Sequence, residues 1–357
     1  MRLRRNRRFP DSLGMYAAAA GLPELLATSI DEAERLPSLA AARPGAVVIC
    51  GSGPAGIAAE IVGAALTPTI GVPLVLVPTG AVPPFVGPES LVFVVSFSGD
   101  DPGSLDAADE SLRRGAHLVA VTGGGELARL AAQAGEPVVT LPAVPRARGA
   151  LLAVVAAVFV GLERAGLVEH ARSTLEAAHR QAASRRDALV AADGGIAAEL
   201  ARRIGRTFPF LCGASGLGAV AARWWQAEIA ANARTLAMTA SAPELLWDAI
   251  AAFGQGGDVT RQILTLVELR SDFEPARAAA AFVAIDELLT EVVAGRLVVH
   301  AEGETLLAQL VDLVVVGEFV SLHLGLNAGL DPGPAPAIDD ATETSGARRA
   351  ARPNRPR

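Results

Sequence analysis

Lysine is absent from the 357 residues, and all 31 basic side chains are arginine. That absence excludes Schiff-base chemistry and a phosphate-loop lysine. Cysteine is scarce, with two in the whole chain, which excludes a disulfide framework and fits a reducing, cytoplasmic setting. Aromatic residues reach only 4% and the formal net charge is −7. Rings to stack on bases and an excess of positive charge are both lacking, so no nucleic-acid partner is expected. Apolar runs of spanning length are lacking too. A span needs about 20 residues, and the longest candidate, Gly149 to Leu162, is bounded by Arg148 and Glu163. The basic start from Arg2 to Arg8 leads into no apolar signal core, so no membrane association is expected.

Apolar residues, mainly alanine and valine, make up 51% of the chain. They supply a large core and exclude disorder of the whole, and the length suits two domains. Charge is uneven: five arginines lie in residues 2–8 and five in residues 348–357, so the body between is more acidic than the net charge suggests. From Asp331 onward Pro, Gly, Ala, Asp and then Arg dominate, which reads as a mostly disordered, solvated tail.

Short buried strands alternate with alanine-rich helices. Ala46–Cys50, Leu74–Val77, Leu91–Val95, Leu118–Val121 and Val138–Leu141 are each apolar on both faces and bounded by glycine, proline or a helix. Such runs predict a parallel sheet covered on both sides. After a charged helical stretch the opening pattern returns. Val48-Ile-Cys-Gly-Ser-Gly-Pro-Ala-Gly56 and Phe210-Leu-Cys-Gly-Ala-Ser-Gly-Leu-Gly218 read as copies of one strand–turn–helix, an internal duplication that makes Cys50 and Cys212 equivalent. Ile263–Val267, Arg296–His300 and the helix Leu306–Asn327 continue the second copy.

The turns after these strands carry the candidate chemistry. Gly51, Ser52 and Gly53 open a helix, where backbone N–H groups and the positive helix end suit a phosphate. The second strand ends in Pro78-Thr-Gly80 with no acid for a ribose, which disfavours a nicotinamide cofactor; no cofactor and no metal are expected. Ser96, Ser98 and Gly99 follow the third strand and Thr122 the fourth. Hydroxyls on successive strand ends make an uncharged cradle for a phosphate ester, although ordinary caps and turn residues explain any one of them.

Ser96-Phe-Ser-Gly99, the strands around it and Thr122-Gly-Gly-Gly125 resemble the sugar isomerase (SIS) domain. The duplicated layout resembles the bifunctional phosphoglucose/phosphomannose isomerase family. The likeness continues through Gly14-Met15, Leu22-Pro-Glu24, Pro145-Arg146, Arg223 to Arg234, Pro243-Glu-Leu245 and Gly329-Leu-Asp-Pro332. It implies an α/β fold of two tandem SIS-type α/β/α sandwiches with parallel sheets, flavodoxin-like or Rossmann-like. The expected division is a basic and helical segment (1–43), a first SIS domain (44–166), a helical connector (167–200), a second SIS domain (201–340) and a disordered basic tail (341–357).

The resemblance also implies aldose–ketose isomerisation through an enediol, which needs a carboxylate base and a ring-opening acid. The family's base is the glutamate of Asn-Glu-Asn-Ala-Lys; the matching Ala230-Ala-Asn-Ala-Arg234 puts Ala231 there. The family's histidine position is Trp247, and its C-terminal lysine falls near Thr342. A serine of the phosphate site becomes Ala55, and a threonine becomes Asp101, whose charge opposes a phosphate unless it points away. Ser96, Ser98, Thr122 and Arg146 remain, Arg146 as an anion clamp. No catalytic residue is therefore assigned; Glu228, Glu244 and His323 are the possible substitutes. The expectation is a catalytically degenerate, regulatory or helper protein that binds a sugar phosphate or related small anion, as a homodimer. The alternatives are an active isomerase with relocated groups, and a structural partner subunit of an active isomerase.

Overall fold

Bounded apolar runs become parallel strands in both halves of the chain. The structure, a computed structural model, describes residues 10–39, 44–78, 81–191, 194–255 and 258–341. Helices α1 (Met15–Ala20) and α2 (Leu22–Ala33) come first. Then follow β1 (Ala46–Cys50), α3 (Pro54–Leu66), β2 (Leu74–Val77), β3 (Ser90–Ser96), α4 (Pro102–Arg113), β4 (His117–Thr122), α5 (Gly125–Ala134), β5 (Val138–Thr140) and α6 (Leu151–Arg164). Helices α7 (Ala171–Leu189) and α8 (Gly195–Ile204) precede β6 (Phe208–Ala214), α9 (Leu217–Glu228), β7 (Met238–Ala242), α10 (Leu245–Asp248) and α11 (Val259–Ile263). The chain continues with β8 (Leu264–Arg270), α12 (Ala276–Leu289), β9 (Gly295–His300) and α13 (Leu306–Asn327).

Two parallel sheets result, one of five strands in the order β2-β1-β3-β4-β5 and one of four in the order β7-β6-β8-β9. Each belongs to its own compact unit. The β1–β5 unit is Glu24–Glu176 with the described residues from Ala335 on; the β6–β9 unit is Ala177–Pro334 with the described residues up to Pro23. The boundary thus falls inside α7, within the stretch read from the sequence as a connector.

In the β1–β5 unit, alternate residues of the central strands face opposite layers. Val48, Cys50, Val92 and Val94 pack on Ala107 and Ala108 of α4 and Leu127 and Ala131 of α5. Strand β3 is buried along its whole length, as a strand covered on both faces must be. In the β6–β9 unit, Phe210, Cys212 and Leu266 pack on Ala278, Ala281 and Phe282 of α12. On the other face the Trp225 indole Nε1 donates to the Leu313 carbonyl of α13 at 2.8 Å.

The duplication extends to register. Cys50 sits between Val77 and Val94 on its neighbouring strands, and Cys212 between Ala240 and Glu268. Both strand–helix turns close tightly at glycines five residues apart. A Cβ on Gly56 would lie 2.9 Å from the Gly51 carbonyl oxygen, and one on Gly218 would lie 2.8 Å from Gly213 Cα.

Some elements differ from the sequence reading. Strand β7, Met-Thr-Ala-Ser-Ala, was not anticipated, because its small and polar side chains lack the apolar signal; its ladder with β6 makes it a strand. Strand β6 runs two residues past Cys212, and nothing in the second sheet corresponds to β5 among the described residues. The longest apolar helix is α13 rather than the 149–162 run. By length and composition α13 could cross a membrane, but 89% of that stretch is buried inside the fold. Its buried Asp312 is held by Arg185 at 2.7 and 2.9 Å and by Gln181 Nε2 at 2.7 Å.

Candidate functional site

A crevice of about 260 Å³ opens at the carboxyl ends of β1 and β3. This is where a parallel sheet presents its turns and helix N-termini. Ser52, Ser96, Ser98 and Ser104 bring four hydroxyl-bearing side chains to its lining, and Asp101 brings a carboxylate. Most of the rest is apolar, including Ala55, Leu141, Ala147, Leu151 and Val154. Among the described residues that line it, Asp101 is the one charged side chain.

The β3–α4 turn is built by local hydrogen bonds. Ser96 Oγ accepts from the Gly99 N–H and Ser98 Oγ from the Asp100 N–H, both at 3.2 Å. Gly99 has φ +77°, and a Cβ there would lie 1.9 Å from the Gly124 carbonyl oxygen, so no other residue fits. The next turn interlocks with this one: the Gly123 N–H donates to the Phe97 carbonyl at 3.0 Å and the Leu127 N–H to the Gly99 carbonyl at 2.9 Å. The glycine triplet is therefore a backing for the serine turn.

Two residues expected on the crevice wall are not among those lining it. Thr122 is fully buried; its hydroxyl donates to the Gly124 carbonyl at 2.9 Å and accepts from the Gly124 N–H at 3.2 Å. It ties the turn instead of facing a ligand. Arg146 directs Nη1 and Nη2 to the two carboxylate oxygens of Asp339, at 2.7 and 3.1 Å. That guanidinium holds the Asp339 carboxyl below the usual carboxylate range. Gly51 and Gly53 shape the first turn, and Ser52 alone of that triplet lines the crevice. Ser104 and Asp339 went unremarked in the sequence. Asp101 followed by Pro102 is an N-cap and first-turn signature, and that signal announces the cap described next. Asp101 Oδ2 accepts from the Ser104 N–H at 2.8 Å and the Ser104 hydroxyl at 2.9 Å.

The positions matched to the family's catalytic groups lie in the β6–β9 unit. Ala231 sits in a π-helical turn, Ile229–Ala233, a local distortion that often accompanies function. Glu228, at the end of α9, is only 1% exposed. Its Oε2 accepts from Asn232 Nδ2 at 3.0 Å, and the same amide donates to Ser321 Oγ at 2.8 Å. Glu244 is exposed and accepts from the hydroxyls of Ser215 at 2.9 Å and Ser241 at 3.3 Å. Its own backbone N–H and the Ser215 hydroxyl lower its pKa, which weakens it as a base. Trp247, on α10, is 76% exposed. His323, on α13, packs edge-on to Tyr16 at 6.1 Å between ring centroids. Burial lowers its pKa, with a smaller contribution from Arg202. Thr342 lies outside the described residues. Neither cysteine offers a nucleophile, since burial pushes both thiols up to about 12.

Residues 195–343 match the family model described as the bacterial phospho-glucose isomerase C-terminal SIS domain. That stretch of the chain is thus matched as a SIS domain. The chain is similar to the bifunctional phosphoglucose/phosphomannose isomerase of Caldicellulosiruptor bescii, at 26% identity over 299 residues, covering 82% of this chain and 87% of that relative. Two solved structures share the chain's fold. One is a hypothetical protein from Thermus thermophilus, with TM-score 0.74, 17% identity and coverage of 95% of this chain and 91% of that one. The other is tagatose-6-phosphate ketose/aldose isomerase from Escherichia coli, with TM-score 0.69, 13% identity and coverage of 91% and 98%.

Proposed function

We propose that this protein binds a carbohydrate derivative in the crevice beside β1 and β3 and acts as a regulatory or helper protein without isomerising its ligand. The similar proteins named above include isomerases of phosphosugars, which supports a sugar or its phosphate as the ligand class. The observation that carries the loss of catalysis is the state of Glu228. It is the carboxylate three residues before Ala231, and it is sealed from solvent with one oxygen bonded to Asn232. Enediol formation needs a base within hydrogen-bond reach of a carbon-bound proton, and such a group contributes roughly 10²–10⁴-fold in rate. Ala231 has no proton-accepting atom, and the Trp247 indole cannot act as an acid for ring opening.

The test is turnover of purified protein with glucose 6-phosphate and mannose 6-phosphate, followed by formation of the ketose. No turnover is expected. Turnover that disappears in Glu228→Gln would overturn the reading and make Glu228 a relocated base.

A further inference from the structure

Near the crevice, three of the groups of the β1–β5 unit suited to hold a phosphate already hold carboxylates of the same chain, while the start of α3 carries no side-chain cap. The first turn of α4 is capped by Asp101, which takes the Ser104 N–H at 2.8 Å. The first turn of α5 is met by Asp100, whose Oδ1 accepts the Glu126 N–H at 2.9 Å. Arg146 is bonded to both oxygens of Asp339. Helix N-termini and a forked guanidinium are the usual donors to a dianion, and here the starts of α4 and α5 and the Arg146 guanidinium have internal acids on them.

The lining points the same way. It carries serine side chains, an apolar remainder and the carboxylate of Asp101. A phosphate ester entering this space meets a like charge on the wall, and two like charges in a partly desolvated crevice repel. A neutral polyol meets none of that. Its hydroxyls find serine hydroxyls and a carboxylate acceptor, and its C–H face finds Ala147, Leu151 and Val154.

We infer that the crevice selects an uncharged sugar or polyol over the corresponding phosphate ester, and that Asp101 is the residue that sets this preference. The inference rests on the proposed ligand role of the crevice and names the class of ligand. Asp101 acts twice, as the cap of α4 and as the charge on the wall. Asparagine is as good a cap as aspartate, so Asp101→Asn removes the charge and leaves the helix start intact.

The experiment is titration calorimetry on the full chain at one ionic strength and pH. The probes are glucose, mannose, glucose 6-phosphate and mannose 6-phosphate, used on wild type, Asp101→Asn and Ala147→Trp. Ala147 is exposed at the crevice, so a tryptophan there blocks the space without entering the core. Wild type is expected to bind a neutral sugar at least tenfold more tightly than its ester. Asp101→Asn is expected to shift that ratio about tenfold towards the ester, and Ala147→Trp to abolish binding. A wild-type preference for the ester, or an unchanged ratio in Asp101→Asn, overturns the inference while leaving the crevice a carbohydrate site. Binding that survives in Ala147→Trp, or no heat from any of the four probes, overturns the ligand role of the crevice and the inference with it.

Discussion

The two sheets share a strand order and part company on their central pair. Beside Cys50 the neighbouring strand carries Val94; beside Cys212 it carries Glu268. Two residues further on, the pair Ser96 and Thr122 is replaced by Arg270 and His300. In the β1–β5 unit the small side chain of Ser96 lines an open crevice. In the β6–β9 unit the turn is knitted by its own charges. Arg270 Nε and Nη2 hold Glu274 at 2.9 Å, and the Ser271 N–H donates to the same carboxylate at 2.9 Å. The Arg270 guanidinium lies 4.0 Å over the Phe282 ring, and Arg296 Nε reaches the buried Glu268 at 2.9 Å. One backbone plan thus shapes an open crevice or an internal ion cluster, depending on two residues per strand.

The sharpest way to break the comparison is to exchange the two register partners. Val94→Glu places a carboxylate among Cys50, Val48 and the alanines of α4, a cluster whose described members include no cation. A loss of more than about 4 kcal/mol is expected, enough to unfold the unit; denaturant melts followed by circular dichroism check it. The reverse change, Glu268→Val, is expected to cost about 2 kcal/mol in the same measurement. Breaking a buried pair usually costs more, but here Arg270 keeps Glu274 and Arg296 keeps Asp286, at 2.9 and 2.8 Å. A loss as large as that of Val94→Glu would show that the ion cluster acts as an indivisible unit.

A smaller effect separates the two helices that follow these strands. Asp101 caps α4 with its side chain, whereas Pro275 starts α12 with no side-chain cap. Asp101→Ala is expected to cost about 1 kcal/mol, read from denaturant midpoints, with Pro275→Ala costing less.

The smallest effect concerns His323, which gives the β6–β9 unit a titration of its own. Its folded pKa lies below the ordinary 6.5 because of burial and Arg202. The unfolded chain therefore binds the proton first as pH falls. Stability contributed by the neutral imidazole is present above about pH 6.5 and declines from there towards the lower folded pKa. His323→Phe is expected to flatten that part of the melting-temperature profile. An unchanged profile would place the titration elsewhere.

Much of the β1–β5 sheet was legible because Val, Ile and Leu runs bounded by glycine have few other folded uses. The residues of β7 carried no such signal, since a half-buried edge strand accepts small polar side chains. The candidate site divided in the same way. Ser52, Ser96 and Thr122 look alike in a sequence, but the interlocked glycine turns bury Thr122 and leave Ser52 and Ser96 on the crevice. Arg146 reads as an anion clamp in the sequence, and only the fold brings Asp339 to it from 193 positions away.

What the sequence alone determined is the strand–turn–helix repeat, the equivalence of the two cysteine positions and the location of the serine turn, because these follow from local periodicity and from glycines that local geometry demands. The tertiary structure decided which hydroxyls face open space, which acids sit on which helix ends and guanidinium, and that Glu228 is closed off behind Asn232 while Trp247 stands in solvent. Those outcomes depend on contacts between residues far apart in the chain, and burial and hydrogen bonding are settled only when such residues meet.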